Sequence, residues 1–351
     1  MRADRGGLWD LADIARRDRG LFPEAGPDLP ERLRDALGVL DLRARDVRVE
    51  RRWSGAGLDG EELSWTVGFG PRTRARLLRP RGAAGPLPGV LAAHCHAGMK
   101  WAGKDKIADG PEPPAPEDRY DRAARDHEHV LAKACTLLGT SFTGVLASED
   151  LAAAAYLRSR PDIASDPDSA SDADTASGAD TGSGVSSESG TVLGSGGGSA
   201  PDVPSLAGAA SVSAIGLSGG GVRAAILGAL DPGVGAVVVA AAVSSFRDLR
   251  EEHVAAHSWM LFPPGLTRLA DWPGVVAARA PAPRMVLYAA ADPLFPAAGM
   301  RRAHRRIAEA YRDAPGRYTG VFFDAPHRFD RAMQDAAFAW LAETAGGDSR
   351  R

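Results

Sequence analysis

The sequence has 351 residues, of which 44% are hydrophobic and 6% aromatic, so it can bury one large core or at most two. The formal net charge of -3 suggests neither a nucleic-acid partner nor an anionic membrane surface. Only two cysteines are present, Cys95 and Cys135, which argues against a disulfide scaffold and suits a reducing compartment.

The N-terminal region alternates charged residues with single apolar ones. Met1 to Gly20 therefore lacks the apolar run of a secretory signal, and no later run approaches membrane-spanning length. We expect a cytoplasmic protein that binds no membrane. Hydrophobic spacing predicts helices over Leu8–Arg16 and Pro30–Leu40, which would form a helical extension over residues 1–45.

The next part of the chain has the patterns of strands. Glu62–Val67 and Thr73–Leu78 alternate polar and apolar residues, as antiparallel strands at the edge of a mixed sheet do. Pro88–Ala93 is apolar throughout and runs into the loop His94–Gly98. This pattern predicts a buried central strand followed by a functional loop.

The middle of the chain changes character twice. Trp101–Asp126 is charged and proline-rich with no strand candidate, and His127–Arg158 predicts two helices with a break near Gly139. Residues 162–210 are dominated by Ser, Gly, Ala and Asp, with eight acidic residues and no Lys or Arg. We predict a disordered insertion that interrupts a domain spanning residues 46–345. It would lie at the N-terminal edge of a parallel sheet, away from substrate.

A serine enclosed by glycines follows this insertion. Ser218 stands between Gly216 and Gly220, after an apolar run and before a good helix, and this G-x-S-x-G pattern is typical of a nucleophile elbow. Small neighbours are needed because the tight strand-to-helix turn leaves no room for larger side chains. A flexible glycine turn that matches by coincidence is the alternative.

Strands and helices alternate after Ser218. Val234–Ala240, Met285–Ala290 and Tyr318–Phe323 are predicted strands, while Met300–Tyr311 and Arg331–Thr344 are predicted helices. Phe246 begins a further helical region that carries His253, His257 and Trp259. The alternation predicts a doubly wound, mostly parallel sheet with helices on both faces.

Two of these strands end near an acid and a histidine. Asp292 follows the second strand and His327 the third, so the chain order Ser218, Asp292, His327 is that of an α/β-hydrolase triad. A serine hydroxyl needs an imidazole to take its proton, and the imidazole needs a carboxylate to orient it. Asp292 as a helix cap and His327 as a surface residue are the structural alternatives. Asp324 is a rival acid, but it lies only three residues from His327.

An oxyanion requires two N–H donors. Gly219, next to the nucleophile, is the first, and Ala97 or Gly98 is expected to supply the second. His94 and His96 have the spacing of a metal pair on a strand, yet no cysteine or acid cluster accompanies them. We therefore expect no metal, and His96 to brace the loop.

Four motifs together carry a family resemblance: His94–Lys104, Gly216–Gly221, Ala291–Pro296 and Pro326–Phe329. They resemble bacterial α/β-hydrolases of the dienelactone hydrolase and acetyl xylan esterase type, over about residues 47–341. The resemblance implies Ser218 as nucleophile, Asp292 as acid and His327 as base, acting on esters of small molecules without a cofactor.

The sequence departs from this family in two places. Ala97 stands where glycine is frequent. Trp101–Asp126 offers neither the strand nor the helix that such folds usually place after the oxyanion loop, so the sheet would lack one strand there.

Two other functions stay open, a peptidase with the same triad and a binding protein without activity. The residues expected to line the substrate site are His96, Lys100, Trp101, Trp259 and Phe295.

Overall fold

A computed structural model describes most of the chain. The residues described are Leu11, Ile14 and Arg17, which are helical, and the segments 20–95, 102–107, 118–164 and 212–345. The predicted helix at Leu8–Arg16 therefore lies mostly outside the described residues, and so does the predicted insertion beyond residue 164.

Eight strands and nine α-helices are found in the described segments. The strands are β1 Arg45–Gly55, β2 Leu58–Thr66, β3 Thr73–Pro80, β4 Gly89–Ala93, β5 Val212–Leu217, β6 Val234–Ala240, β7 Arg284–Ala289 and β8 Tyr318–Phe323. The helices are α1 Leu29–Leu37, α2 Asp118–Leu137, α3 Phe142–Arg158, α4 Gly219–Leu230, α5 Glu251–Ala256, α6 Leu266–Leu269, α7 Trp272–Ala277, α8 Ala297–Ala310 and α9 Arg331–Ala345.

The strands form two sheets rather than one. β1, β2 and β3 pair antiparallel with each other, and β4 to β8 form a parallel sheet in the order β4-β5-β6-β7-β8. The prediction that the early strands open a mixed sheet is therefore wrong. Leu63, Trp65 and Val67 of the small sheet have their own apolar cluster, and Trp65 packs on Tyr156 of α3 with ring centroids 5.8 Å apart. Packing against a helix replaces pairing with the parallel sheet.

β4 lies at the edge of the parallel sheet. Its residues pair with β5 from Gly89 opposite Val212 to Ala93 opposite Gly216, and within the described segments β4 has no second strand partner. Val90 is 45% exposed. The expectation of a central strand is wrong, because the strand that would cover the outer side of β4 is not among those described.

Helices cover both faces of the parallel sheet, as predicted. The larger core contains α1, α3, α4, α7 and α8, and on the other face α9 packs Met333, Ala337 and Leu341 against β5, β6 and β7. The N-terminal helix α1 belongs to the larger core. One face of α1 is formed by Leu29, Leu33 and Leu37, which are spaced four residues apart, and each of these three residues is only 1% exposed.

α2 and α3 meet at the predicted break. α3 begins after Ser141, whose hydroxyl accepts a hydrogen bond from the N–H of Gly144 at 2.9 Å. α2 starts at Asp118, nine residues before the predicted start. None of the described helices is by itself long and apolar enough to span a membrane; Asp126–Leu137 and Phe142–Arg158, bent by 85°, pass that test only as a pair and only on length and composition.

Both ends of the predicted insertion lie at the N-terminal edge of the parallel sheet. Leu87, just before β4, donates its N–H to the carbonyl of Asp162 and accepts from the N–H of Ala164. The chain returns at Val212, the first residue of β5. Asp162, the first residue of the predicted insertion, is paired with Arg160 at 2.8 Å.

Candidate active site

Ser218 occupies a strained turn between β5 and α4. Its φ of 56° and ψ of -124° lie outside the regions that an L-residue favours. Two backbone hydrogen bonds hold it there. Its N–H donates to the carbonyl of Ala240 in β6, and its carbonyl accepts from the N–H of Val222, both at 2.9 Å. The serine is thus fixed at the C-terminal end of β5.

Two neighbouring glycines permit this turn. A Cβ at Gly216 would stand 2.2 Å from the carbonyl carbon and oxygen of Gly220. A Cβ at Gly220 would stand 2.0 Å from the carbonyl oxygen of Ala93, at the end of β4. Real Cβ contacts are never that short, so the G-x-S-x-G spacing is required by the close approach of three backbone segments.

The helix behind the serine is anchored by a buried ion pair. Arg223 of α4 makes two hydrogen bonds to Asp150 of α3, one of them from Nε to Oδ2 at 2.8 Å. The side chain of Asp150 is 4% exposed. Gly219 is the first residue of α4, so its N–H has no acceptor within the helix. It remains available beside Ser218.

Asp292 and His327 meet at the same edge of the sheet. His327 Nδ1 donates a hydrogen bond of 2.6 Å to Asp292 Oδ2, and the other carboxylate oxygen accepts from the N–H of Leu294 at 2.9 Å. The Asp292 side chain is 1% exposed and the His327 side chain 21%. Because Nδ1 carries the donated proton, Nε2 of a neutral His327 ring has the free lone pair.

Backbone pairing beyond β7 and β8 brings these two loops together. Ala290 donates its N–H to the carbonyl of Phe323, and Ala291 donates to that of Ala325. The rival acid Asp324 lies between them and is exposed, whereas Asp292 holds the imidazole. Ser218, Asp292 and His327 thus all lie beyond the C-terminal ends of strands of the same parallel sheet, β5, β7 and β8.

A second histidine, His257, lies beside this pair. Its ring packs against Phe295 with centroids 4.7 Å apart, and its Nδ1 lies 2.7 Å from the carbonyl oxygen of His253. Burial lowers the pKa of His257, with smaller opposing effects from Asp292, which raises it, and His327, which lowers it. Sequence reasoning placed His257 in a helical region without a role; only its spacing of four from His253 hinted at the contact.

Two of the expected substrate residues are described. Trp259 is 40% exposed, and its indole N–H donates to His129 Nδ1 at 2.7 Å while its backbone N–H donates to Glu128 Oε1. These contacts attach the Trp259 segment to α2. Phe295 is buried in the larger core, so it packs against His257 rather than offering an open surface.

The remaining predicted residues of the first loop lie outside the described residues: His96, Ala97, Gly98, Lys100 and Trp101. His94 is described directly after β4, with Nδ1 at 3.0 Å from the carbonyl of Cys95. Burial, and then the nearby charge of Arg223, lower the pKa of His94. In the part of the chain that the structure describes, no group of three or more His, Cys, Asp or Glu side chains is placed to hold a metal ion.

No protein-family profile matches the chain. A relative from Bacillus subtilis (strain 168), described as "Putative hydrolase YtaP", is 22% identical over 316 residues, which cover 85% of this chain and 87% of the relative.

Two solved structures share the fold. One, described as "a putative acetyl xylan esterase" from Bacteroides fragilis NCTC 9343, matches with a TM-score of 0.60 and 14% identity over 92% of this chain and 84% of that one. Acetyl xylan esterase 1 from Thermoanaerobacterium sp. JW/SL YS485 matches with a TM-score of 0.51 and 14% identity over 94% and 98%. The resemblance to acetyl xylan esterases is confirmed at the level of the fold, and the chain has the α/β-hydrolase fold.

Proposed function

We propose that this protein is a serine hydrolase that cleaves carboxylic esters of small molecules through an acyl-enzyme. The observation that carries the proposal is the 2.6 Å hydrogen bond between His327 Nδ1 and Asp292 Oδ2, at the strand ends that also present Ser218. The bond fixes the tautomer that leaves Nε2 free as a base. Esterase names among the fold neighbours support the choice of an ester substrate.

In the proposed acylation step, Ser218 Oγ attacks the ester carbonyl carbon while His327 Nε2 takes its proton. The tetrahedral intermediate then collapses, and the same proton passes to the leaving alcohol. Asp292 stabilises the imidazolium that forms in between. The N–H of Gly219, at the positive end of α4, would donate to the oxyanion. We propose Ala97 or Gly98 for the second donor.

The proposed acyl group is small because the structural neighbours with this fold are named acetyl xylan esterases. We further propose that the exposed ring of Trp259 forms one wall of the substrate site. Aromatic faces of this kind pack against the apolar parts of small ligands while their edges stay polar.

A panel of short-chain esters and a panel of peptide amides test the proposal. Wild-type protein should hydrolyse acetyl and propionyl esters of small alcohols, and Ser218→Ala should reduce turnover to the background rate. Cleavage of the peptides without cleavage of the esters would favour a peptidase. If the pure, folded protein acted on neither panel, the hydrolase assignment would be wrong.

A further inference from the structure

His257 carries a buried acceptor atom that accepts no hydrogen bond from the described part of the chain. Its Nδ1 lies 2.7 Å from the carbonyl oxygen of His253, and a carbonyl can only accept, so Nδ1 holds the ring proton. Burial lowers the pKa of His257, which keeps the ring neutral. Nε2 therefore has a lone pair, yet it is buried and has no hydrogen-bond partner among the residues that the structure describes.

Such an atom needs an explanation, because a buried acceptor without a donor costs free energy. The walls next to the ring are apolar: Phe295 lies with its centroid 4.7 Å from that of His257, and Phe262 at 6.2 Å. Neither side chain can donate a hydrogen bond. A small donor that enters the site, such as water, would satisfy Nε2.

The location of His257 relates this atom to the proposed chemistry. The charges of Asp292 and His327 both shift the pKa of His257, in opposite directions, so the ring lies within electrostatic range of the acid and the base. Phe295, which packs on the ring, is three residues after Asp292 on the same loop. The unpartnered acceptor therefore belongs to the same end of the sheet as the proposed base.

We propose that His257 Nε2 accepts a hydrogen bond from the water molecule that hydrolyses the Ser218 acyl-enzyme. This inference rests on the proposed function. The water oxygen forms a bond to the acyl carbon, and one water proton passes to His327 Nε2. The second proton stays on that oxygen and is hydrogen-bonded to His257. The intermediate then expels Ser218 Oγ, which takes the proton from His327, and the carboxylic acid leaves.

The two protons of water separate this role from a structural one. An alcohol that attacks the acyl-enzyme has only one hydroxyl proton, and His327 takes it. Alcoholysis therefore does not need the second acceptor, whereas hydrolysis benefits from it. Removal of the His257 acceptor should shift the acyl group from water towards alcohol, and a loss of packing alone should slow both reactions together.

The experiment compares wild-type protein with His257→Phe and His257→Gln. His257→Phe keeps an aromatic ring against Phe295 but has no acceptor, while His257→Gln retains an acceptor oxygen. Each protein receives p-nitrophenyl acetate with methanol as competing acyl acceptor, and acetate and methyl acetate are quantified. This ratio is set after the acyl-enzyme forms, so it is independent of the acylation rate.

We expect the ratio of methyl acetate to acetate to rise about tenfold in His257→Phe, which corresponds to about 1.4 kcal/mol, and less in His257→Gln. An unchanged ratio of methyl acetate to acetate in a folded His257→Phe would overturn this inference and leave the proposed function standing. His257→Leu, which also lacks the acceptor, serves if the phenylalanine variant does not fold. If wild-type protein gave no acyl-enzyme and neither product, the proposed function would fail and this inference with it.

Discussion

Replacing Ser218 with glycine should remove the proposed nucleophile and stabilise the protein at the same time. The backbone at Ser218, with φ 56° and ψ -124°, costs a residue with a Cβ about 1 to 3 kcal/mol, and glycine avoids most of that cost. Glycine loses more freedom on folding, by roughly 0.5 to 1 kcal/mol relative to alanine. The net expectation is a gain of about 1 kcal/mol for Ser218→Gly over Ser218→Ala.

The alanine variant is the matched control, because both variants lose the hydroxyl while only alanine keeps the Cβ. For a folded region of this size, 1 kcal/mol corresponds to a rise in melting temperature of roughly 2 °C. Ser213, in β5, gives a second control. There the strand geometry suits a Cβ, so Ser213→Gly should be less stable than Ser213→Ala.

Urea denaturation of the four variants measures these differences. The hydrogen bonds from Ser218 N–H to Ala240 and from Val222 N–H to Ser218 involve the backbone only, so they persist in each Ser218 variant. If Ser218→Gly were less stable than Ser218→Ala, the turn would not be strained, and the nucleophile elbow would lose its main geometric support.

Asp292→Asn should lower turnover on esters roughly ten-thousand-fold by favouring the wrong imidazole tautomer, whereas Asp324→Asn should change turnover less than about twofold. A large loss in Asp324→Asn with a small loss in Asp292→Asn would reassign the acid to Asp324. Asp150→Ala leaves Arg223 without its partner and should reduce the free energy of unfolding in urea by about 3 kcal/mol; a loss below about 1 kcal/mol would contradict this account. Deletion of residues 166–200 should leave kcat/KM on esters unchanged because the flanking segments lie opposite Ser218, and a large loss in a folded variant would refute that placement.

The central strands of the second half were predictable because nearly all of their residues are buried. β6 and β7 are apolar runs bounded by turn residues, and their predicted and observed limits differ by at most one residue. The glycine spacing around Ser218 was informative for a different reason. A Cβ at Gly216 or Gly220 would collide with nearby backbone atoms, so the tight turn requires glycine at both positions.

Contacts between distant segments were not predictable. Alternation in β2 and β3 indicates half-buried strands but does not indicate which sheet they join. They join β1 in a separate sheet, which packs on a helix through the contact between Trp65 and Tyr156. The apolar run of β4 looked central because composition cannot show that, within the described segments, β4 pairs on one side only. The Asp150 to Arg223 pair spans 73 positions in the chain. No local pattern marks it.

Covalent labelling tests the central claim most directly, since a fluorophosphonate reacts far faster with a serine that is activated by a neighbouring base than with an ordinary serine. Labelled protein would be digested and the modified peptide sequenced by mass spectrometry. The account predicts a single modification, on Ser218, which disappears in Ser218→Ala and is strongly slowed in His327→Ala. Labelling of a different residue, or of none in folded wild-type protein, would contradict the assignment of Ser218 as the nucleophile.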